Sequence, residues 1–333
     1  MLKLSFTHPL PRMPAHATPA LGPQPLQPLQ GVRLLSLALN LPGPAALMRC
    51  QAMGASCHKI EPPAPLGSAS GDPMRHYCPP AYTALHAGVR VSVVDLKTPA
   101  GQHTLHHALA HTDVLMTSFR PAALHKLGLN WTTLQAQYPQ LSQVAIVGGP
   151  GPRANEAGHD LTYQAECGLV TGLELPATLY ADMGGSLMVS EAILQAVLGQ
   201  KLRPDVPGSY QEVALSDAAG YLALPRSWGL ARPGPRSTVG GAHAGYRVYP
   251  CADGRVAVAA LEPRFASALC RVAGLSMEGL NGAQALGEWM FTLAAAETIG
   301  AFFKQQSCQQ LDALAAKHDL PLHCLPNAAG LNT

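Results

Sequence analysis

Over roughly the first two thirds of the chain, short apolar runs alternate with longer stretches in which apolar positions recur every three or four residues. Val32-Arg33-Leu34-Leu35-Ser36-Leu37 predicts a strand, and Pro42-Gly43-Pro44 opens a helix that runs to about Met53. Gly54 stands where a helix stop is expected. Ser56-Cys57-His58-Lys59-Ile60 resumes a strand, which Glu61-Pro62-Pro63 ends. The pattern then repeats, with strands expected over 91–95, 114–116 and 144–147 and helices over 99–110, 122–127 and 131–138. Strands alternating with helices of this length predict a parallel sheet covered on both faces. Such sheets collect ligands beyond the carboxyl ends of their strands.

After Pro150 the texture changes. A helix is expected over 161–169, and a longer one opens at Gly184-Gly185 and runs to Leu198. A polar connector over 199–208 precedes a strand over 210–215. Beyond residues 232–236, Asp253-Gly254 between two alternating runs predicts a hairpin of 246–249 with 256–260. Helices follow from Pro263, over 283–306 and over 308–318. The expected organisation is a mobile proline-rich leader (1–30), a large α/β domain with a Rossmann-like parallel sheet (31–224) and a smaller α+β domain (225–333).

Composition narrows the partners. Hydrophobic residues make up 47% of the chain, enough for a sizeable core. Charged residues make up 13%, about half the ~25% usual for soluble domains. With 22 basic and 20 acidic side chains the formal net charge is +2, which argues against an electrostatic nucleic-acid binder. No run approaches the ~18 consecutive apolar residues of a membrane span. No GxGxxG follows the first strand and no GxxxxGK[ST] occurs, so dinucleotide and nucleoside-triphosphate readings lose their main support. The eight cysteines show no CxxC pair or metal-ligand spacing. Without an export-length apolar stretch near Met1, they read as reduced thiols of a cytoplasmic protein. His103, His106, His107 and His111 follow helical spacing and read as a solvated face, not a metal site.

Acid–base candidates fall at the ends of predicted elements: His159 and Asp160, Asp182 before Gly184-Gly185, and Glu262 before Pro263. Each has a structural reading as well, because an Asp before a helix caps free N–H groups and a Glu at a helix start meets the positive end of the dipole.

Several blocks in order along the chain resemble the family III CoA-transferases (the CaiB/BaiF family). They are Ile60-Glu61-Pro62-Pro63 with Gly71-Asp72-Pro73-Met74, Val94-Asp95-Leu96-Lys97-Thr98-Pro99, Ser118-Phe119-Arg120-Pro121 with Lys126-Leu127-Gly128-Leu129, and Gly158-His159-Asp160-Leu161-Thr162-Tyr163. Within that family the chain is most similar to the α-methylacyl-CoA racemase branch. The resemblance implies His159 and Asp182 as the two catalytic bases and Glu262 as support for the imidazole. It implies that Val94, Asp95, Leu96, Lys97, Gly158 and Tyr163 line the CoA site, with Lys126 and Arg120 as phosphate partners. Racemisation moves an α-proton from one face of a planar enolate to the other, so two opposed groups must exchange acid and base roles. Amides near Gly184 and Gly185 are the expected enolate donors. The implied alternative is CoA transfer between carboxylic acids through a covalent intermediate on Asp160, and a third reading is a non-catalytic acyl-CoA binding protein. No metal or redox cofactor is implied, since the CoA thioester is the substrate. The family's subunits thread through one another, so the resemblance implies a homodimer and offers an interlocked form of it.

Overall fold

The computed structural model describes residues 26–64, 71–275 and 282–327. The first 25 residues of the expected leader lie outside them. Of the remainder, Leu29 is fully buried and its N–H donates to Met53 O (3.0 Å), so core packing begins before the first strand.

Two compact units are present, one of residues 1–166 with 172–219 and one of 167–171 with 220–333. The first unit runs β1 (Arg33–Ser36), α1 (Pro42–Ala52), β2 (Ser56–Glu61), α2 (Met74–Tyr77), α3 (Pro79–Leu85), β3 (Arg90–Val93), α4 (Pro99–Leu109) and β4 (Val114–Thr117). It continues through α5 (Pro121–Lys126), α6 (Trp131–Gln137), β5 (Ser142–Val147), α7 (Asp160–Glu166), α8 (Tyr180–Leu202), β6 (Tyr210–Ala214) and α9 (Leu215–Leu222). Its six strands are all parallel, in the order β3-β2-β1-β4-β5-β6. That is the doubly wound order, in which the chain reverses direction between β1 and β4.

Period-2 alternation sorts the core into two layers. Leu34, Val114, Met116, Val144 and Ile146 meet Leu47 and Cys50 of α1 and Val189, Ile193 and Val197 of α8 on one face. Leu35, Leu37, Ile60 and Leu115 meet Leu105 and Leu109 of α4 with Leu124 and Leu134 on the other. Every residue of β4 and β5 is buried, as a sheet covered on both faces requires.

Three boundaries differ from expectation. β3 stops at Val93 because Asp95 turns the chain: its Oδ1 accepts the Lys97 N–H (3.0 Å) and its carbonyl the Thr98 hydroxyl (2.9 Å). α8 starts at Tyr180, four residues before Gly184, because the side chain of Asp160 satisfies its first turn. The short helices α2 and α3 lacked a sequence signal because neither is long enough to show a helical period.

The second unit holds α10 (Leu224–Ser227), β7 (Tyr246–Cys251), β8 (Gly254–Ala259), α11 (Pro263–Val272), α12 (Ala283–Trp289), α13 (Leu293–Lys304), α14 (Cys308–His318) and β9 (Leu322–Pro326). β7 and β8 form the hairpin around Asp253, and β9 adds antiparallel to β8. The single helix expected over 283–306 is two, because Thr292 caps a fresh start by accepting the Ala295 N–H (3.2 Å). Among the described residues no helix is long and apolar enough to cross a membrane.

Candidate active site at the carboxyl edge of the sheet

The strand order reverses its winding between β1 and β4, the point on such a sheet beyond whose carboxyl ends a ligand is expected. Asn40 turns there with φ +62°, a conformation an Asn side chain tolerates. Its N–H faces Asp72 Oδ1 (3.4 Å), while Leu39 N–H donates to Ser118 Oγ (3.2 Å). The other strands deliver their loops to the same edge. Val94 and Leu96 follow β3 half-buried against the core, and Asp95 and Lys97 are exposed. Arg120 and Lys126 flank α5 and are exposed. Beyond β5, a Cβ on Gly148 or on Gly158 would collide with the Tyr163 hydroxyl, so glycine at both positions lets the phenol lie against the backbone.

Asp160 and Asp182 are tied together, while His159 is bonded only within its own turn among the described residues. His159 is exposed just before α7, its N–H donating to Thr162 Oγ1 (3.1 Å) and its carbonyl accepting the Thr162 hydroxyl (2.7 Å). Asp160 is 6% exposed, and both of its oxygens are engaged. Oδ1 accepts the Asp182 backbone N–H (3.0 Å), and Oδ2 accepts the Gln164 amide, which also reaches Thr178 O (3.2 Å). Asp160 therefore caps the helix that begins at Tyr180 in place of Leu179, which has no capping side chain.

Asp182 is half-buried on the first turn of α8. Burial, reinforced by the neighbouring Asp160 carboxylate, pushes its pKa up to about 7. Its carboxylate has no hydrogen bond among the described residues. The phenols of Tyr77 and Tyr163 are both raised, by burial first and then by carboxylates that include Asp182, which places both in its electrostatic neighbourhood. Arg120 and Arg153 act on Tyr163 in the opposite sense.

The expected enolate donors need correction. With α8 starting at Tyr180, the Met183 N–H is already bonded to Leu179 O (3.0 Å), and Gly184 and Gly185 lie buried inside the helix. Among the described residues, the first-turn amides without a hydrogen bond are those of Tyr180 and Ala181. Gly185 has a packing reason instead, since a Cβ there would collide with the Leu215 side chain. Glu262 belongs to the second unit, exposed at the N-cap of α11.

Sequence reasoning assigned no role to the most deeply buried charges. Lys59 and Glu61, two positions apart on one face of β2, are fully buried together with Asp72. The Lys59 ammonium donates to Glu61 Oε1 (2.9 Å), to Asp72 Oδ2 and to His86 Nε2 (2.9 Å), which uses all three of its protons. His86 Nδ1 donates to Tyr82 O (2.6 Å), and Tyr82 Oη donates to Glu61 Oε1 (3.0 Å). Burial, with the ammonium beside it, holds His86 below the ordinary imidazole range, so a neutral ring accepting at Nε2 fits both bonds. Ligand atoms of Glu61, Asp72 and His86 lie within 4.8 Å of one another, as in a metal site, but Lys59 is the cation they share. The available signal was Lys59 and Glu61 two apart in one strand, opposite charges on one face. An open hollow of ≈ 590 Å³ on the second unit, lined by Tyr246, Val248, Ala257 and His323 among others, contains none of these acid–base groups.

Comparison with known proteins gives this edge its context. The chain is 31% identical over 217 residues to succinyl-CoA–D-citramalate CoA-transferase of Chloroflexus aurantiacus, an alignment covering 61% of this chain and 52% of that enzyme. It is 27% identical over 277 residues to human alpha-methylacyl-CoA racemase, covering 78% and 69%. The chain thus spans about half the length of the first relative and about two thirds of the second. The crystal structure of a hypothetical protein from Mycobacterium tuberculosis shares the fold, with a TM-score of 0.74 at 23% identity over 90% of this chain and 84% of that one. The profile of CoA-transferase family III matches residues 29–331, so nearly all of the described structure, both units included, belongs to that family.

Proposed function

We propose that the chain binds an acyl-CoA thioester at the carboxyl edge of its parallel sheet and racemises 2-methylacyl-CoA, with His159 and Asp182 as the opposed proton carriers. The observation that carries this reading is Asp182, a half-buried carboxyl raised to about 7 and free of side-chain hydrogen bonds among the described residues. Near neutrality such a group populates both protonation states, as a residue that alternately takes and returns a proton must. One of the pair removes the α-proton, the electron pair moves onto the thioester oxygen, and the other delivers a proton to the opposite face. The positive end of α8, with the amides of Tyr180 and Ala181, supports the enolate oxygen. Arg120, Lys97 and Lys126, all exposed at or near this edge, suit CoA phosphates. Glu262, on the second unit, is kept as a supporting residue on resemblance alone, with no partner assigned. The protein needs no metal or redox cofactor for this chemistry.

A second reading is CoA transfer, which the same observation favours in an altered form. Asp160 is a poor nucleophile because both its oxygens already accept hydrogen bonds. Asp182 has the available oxygens. Its attack on the thioester carbonyl would give a mixed anhydride and release CoA thiolate, which then returns to form an enzyme-bound CoA thioester and free the first acid.

A homodimer is part of the proposal, supported by exposed Met183, Leu187, Leu198 and Leu202 along one side of α8. A cytoplasmic compartment is part of the same proposal, on the spacing of the eight cysteines along the sequence.

Incubation of the purified protein with a single enantiomer of a 2-methylacyl-CoA in D2O tests the main reading. Deuterium gain at the α-carbon with loss of optical purity is expected, and Asp182→Asn should lower the rate at least ~100-fold with CoA binding retained. Absence of exchange, with CoA passing to an added carboxylate and a hydroxylamine-sensitive enzyme thioester, would replace it by the second reading. Absence of both would leave acyl-CoA binding alone.

A further inference from the structure

Three cysteines and an aspartate that lie far apart in the sequence meet at one end of the second unit's small sheet. Cys251 ends β7, Asp253 sits in the following turn, Cys308 is the first residue of α14, and Cys324 lies within β9. Register places Cys251 opposite Gly254 and Cys324 opposite Val256 on β8. Paired residues project from the same face, as do positions two apart, so both thiols stand on one face of the sheet. That face is the buried one, where Cys251, Val256 and Cys324 pack with Cys308 and Leu311 of α14.

The donor atoms are close. Cys251 Sγ is 3.7 Å from Cys308 Sγ and 3.8 Å from Asp253 Oδ1. Ligand atoms of Cys251, Asp253 and Cys308 all lie within 4.8 Å of one another. Cys324 packs on the same buried face as Cys251 and Cys308 but lies outside that three-residue cluster. Two sulfurs on a tetrahedral Zn2+ with ~2.3 Å bonds stand about 3.8 Å apart, whereas a disulfide needs ~2.05 Å. The 3.7 Å spacing therefore matches zinc ligation with little movement and is far from a covalent bridge. Asp253 Oδ1 also accepts the Cys308 N–H (2.7 Å), which fixes the first turn of α14 against the hairpin.

We propose that Cys251, Cys308 and Asp253 form the core of a structural zinc site, completed by Cys324 through a side-chain rotation from β9. A soft three-sulfur set with one carboxylate suits tetrahedral Zn2+. On binding, three S–H bonds break, three Zn–S bonds form, three protons pass to solvent and Asp253 supplies the fourth bond, with no change of oxidation state. The ion would fasten the β7–β8 turn, α14 and β9 together. Ligands 57 positions apart, as Cys251 and Cys308 are, leave no spacing motif for a sequence reading to find.

Co2+ titrated into the reduced full chain is the probe. One equivalent is expected to produce a thiolate-to-cobalt charge-transfer band, and Zn2+ to displace it. Cys308→Ser and Cys324→Ser should each remove about a third of that absorbance, while Cys78→Ser and Cys167→Ser leave it unchanged. Asp253→Asn keeps an acceptor for the Cys308 N–H and so keeps the fold, and is expected to weaken Co2+ affinity about 10- to 100-fold. The proposal is overturned if the unsubstituted chain shows no charge-transfer band, or if Cys308→Ser and Asp253→Asn both retain it in full. A Cys251–Cys308 disulfide in freshly purified, unreduced protein would overturn it as well.

Discussion

Asp160 and Asp182 are both carboxylates near helix starts, yet burial and hydrogen bonding give them different work. Asp160 accepts two hydrogen bonds and closes the first turn of α8, while Asp182 has no such bond among the described residues and titrates near 7. The sign of the linkage follows. Folded Asp182 keeps its proton where the unfolded residue, at 3.8, has lost it. The folded state therefore binds more protons across that window, and stability falls as pH rises from about 4 to about 7. Asp160→Asn preserves an acceptor for the Asp182 N–H and removes the charge that helps raise Asp182. The acidic limb of the kcat/KM profile should accordingly move to lower pH, by on the order of one unit, with secondary structure unchanged. A profile that stays in place would mean that Asp182 is not the group being titrated.

At the scale of elements, the buried charges join β2, the segment before α2, and α3. Lys59 holds Glu61 on its own strand, Asp72 beyond the loop and His86 just after α3. Asp72 Oδ1 also accepts the Met74 N–H (2.9 Å) at the start of α2. Lys59→Met would leave two fully buried carboxylates without their ammonium. A loss of ~3–5 kcal/mol is expected, read as a lower urea midpoint with an unchanged slope. A variant as stable as the parent would show that the carboxylates take up protons or water at little cost. The same scale explains what escaped the sequence reading. Glycines at 184 and 185 looked like the start of a helix, but their helix already runs from Tyr180 because its cap comes from Asp160, 22 residues upstream. A cap supplied from elsewhere in the chain leaves no local signature.

For the whole molecule, the expected outcome in solution is a dimer. Met183, Leu187, Leu198 and Leu202 are between 41% and 72% exposed along one side of a 23-residue helix. Sedimentation equilibrium should give twice the 34.9 kDa chain mass, and the double variant Leu187→Glu/Leu198→Glu should sediment as the folded monomer. A monomeric parent protein would assign the stripe to some other purpose.

The alternation of apolar runs and helical periods by itself determined the parallel sheet and its doubly covered faces, because strand and helix periods are local properties of the backbone. It also determined the hairpin at Asp253-Gly254, since that turn chemistry is read from two residues. The tertiary structure alone decided which Asp is engaged and which is open, that Lys59 is the buried partner of Glu61 and Asp72, and that Cys251, Cys308 and Cys324 share a corner. Those outcomes depend on desolvation and on distances between residues remote in the chain, and neither quantity is carried by the local order of side chains.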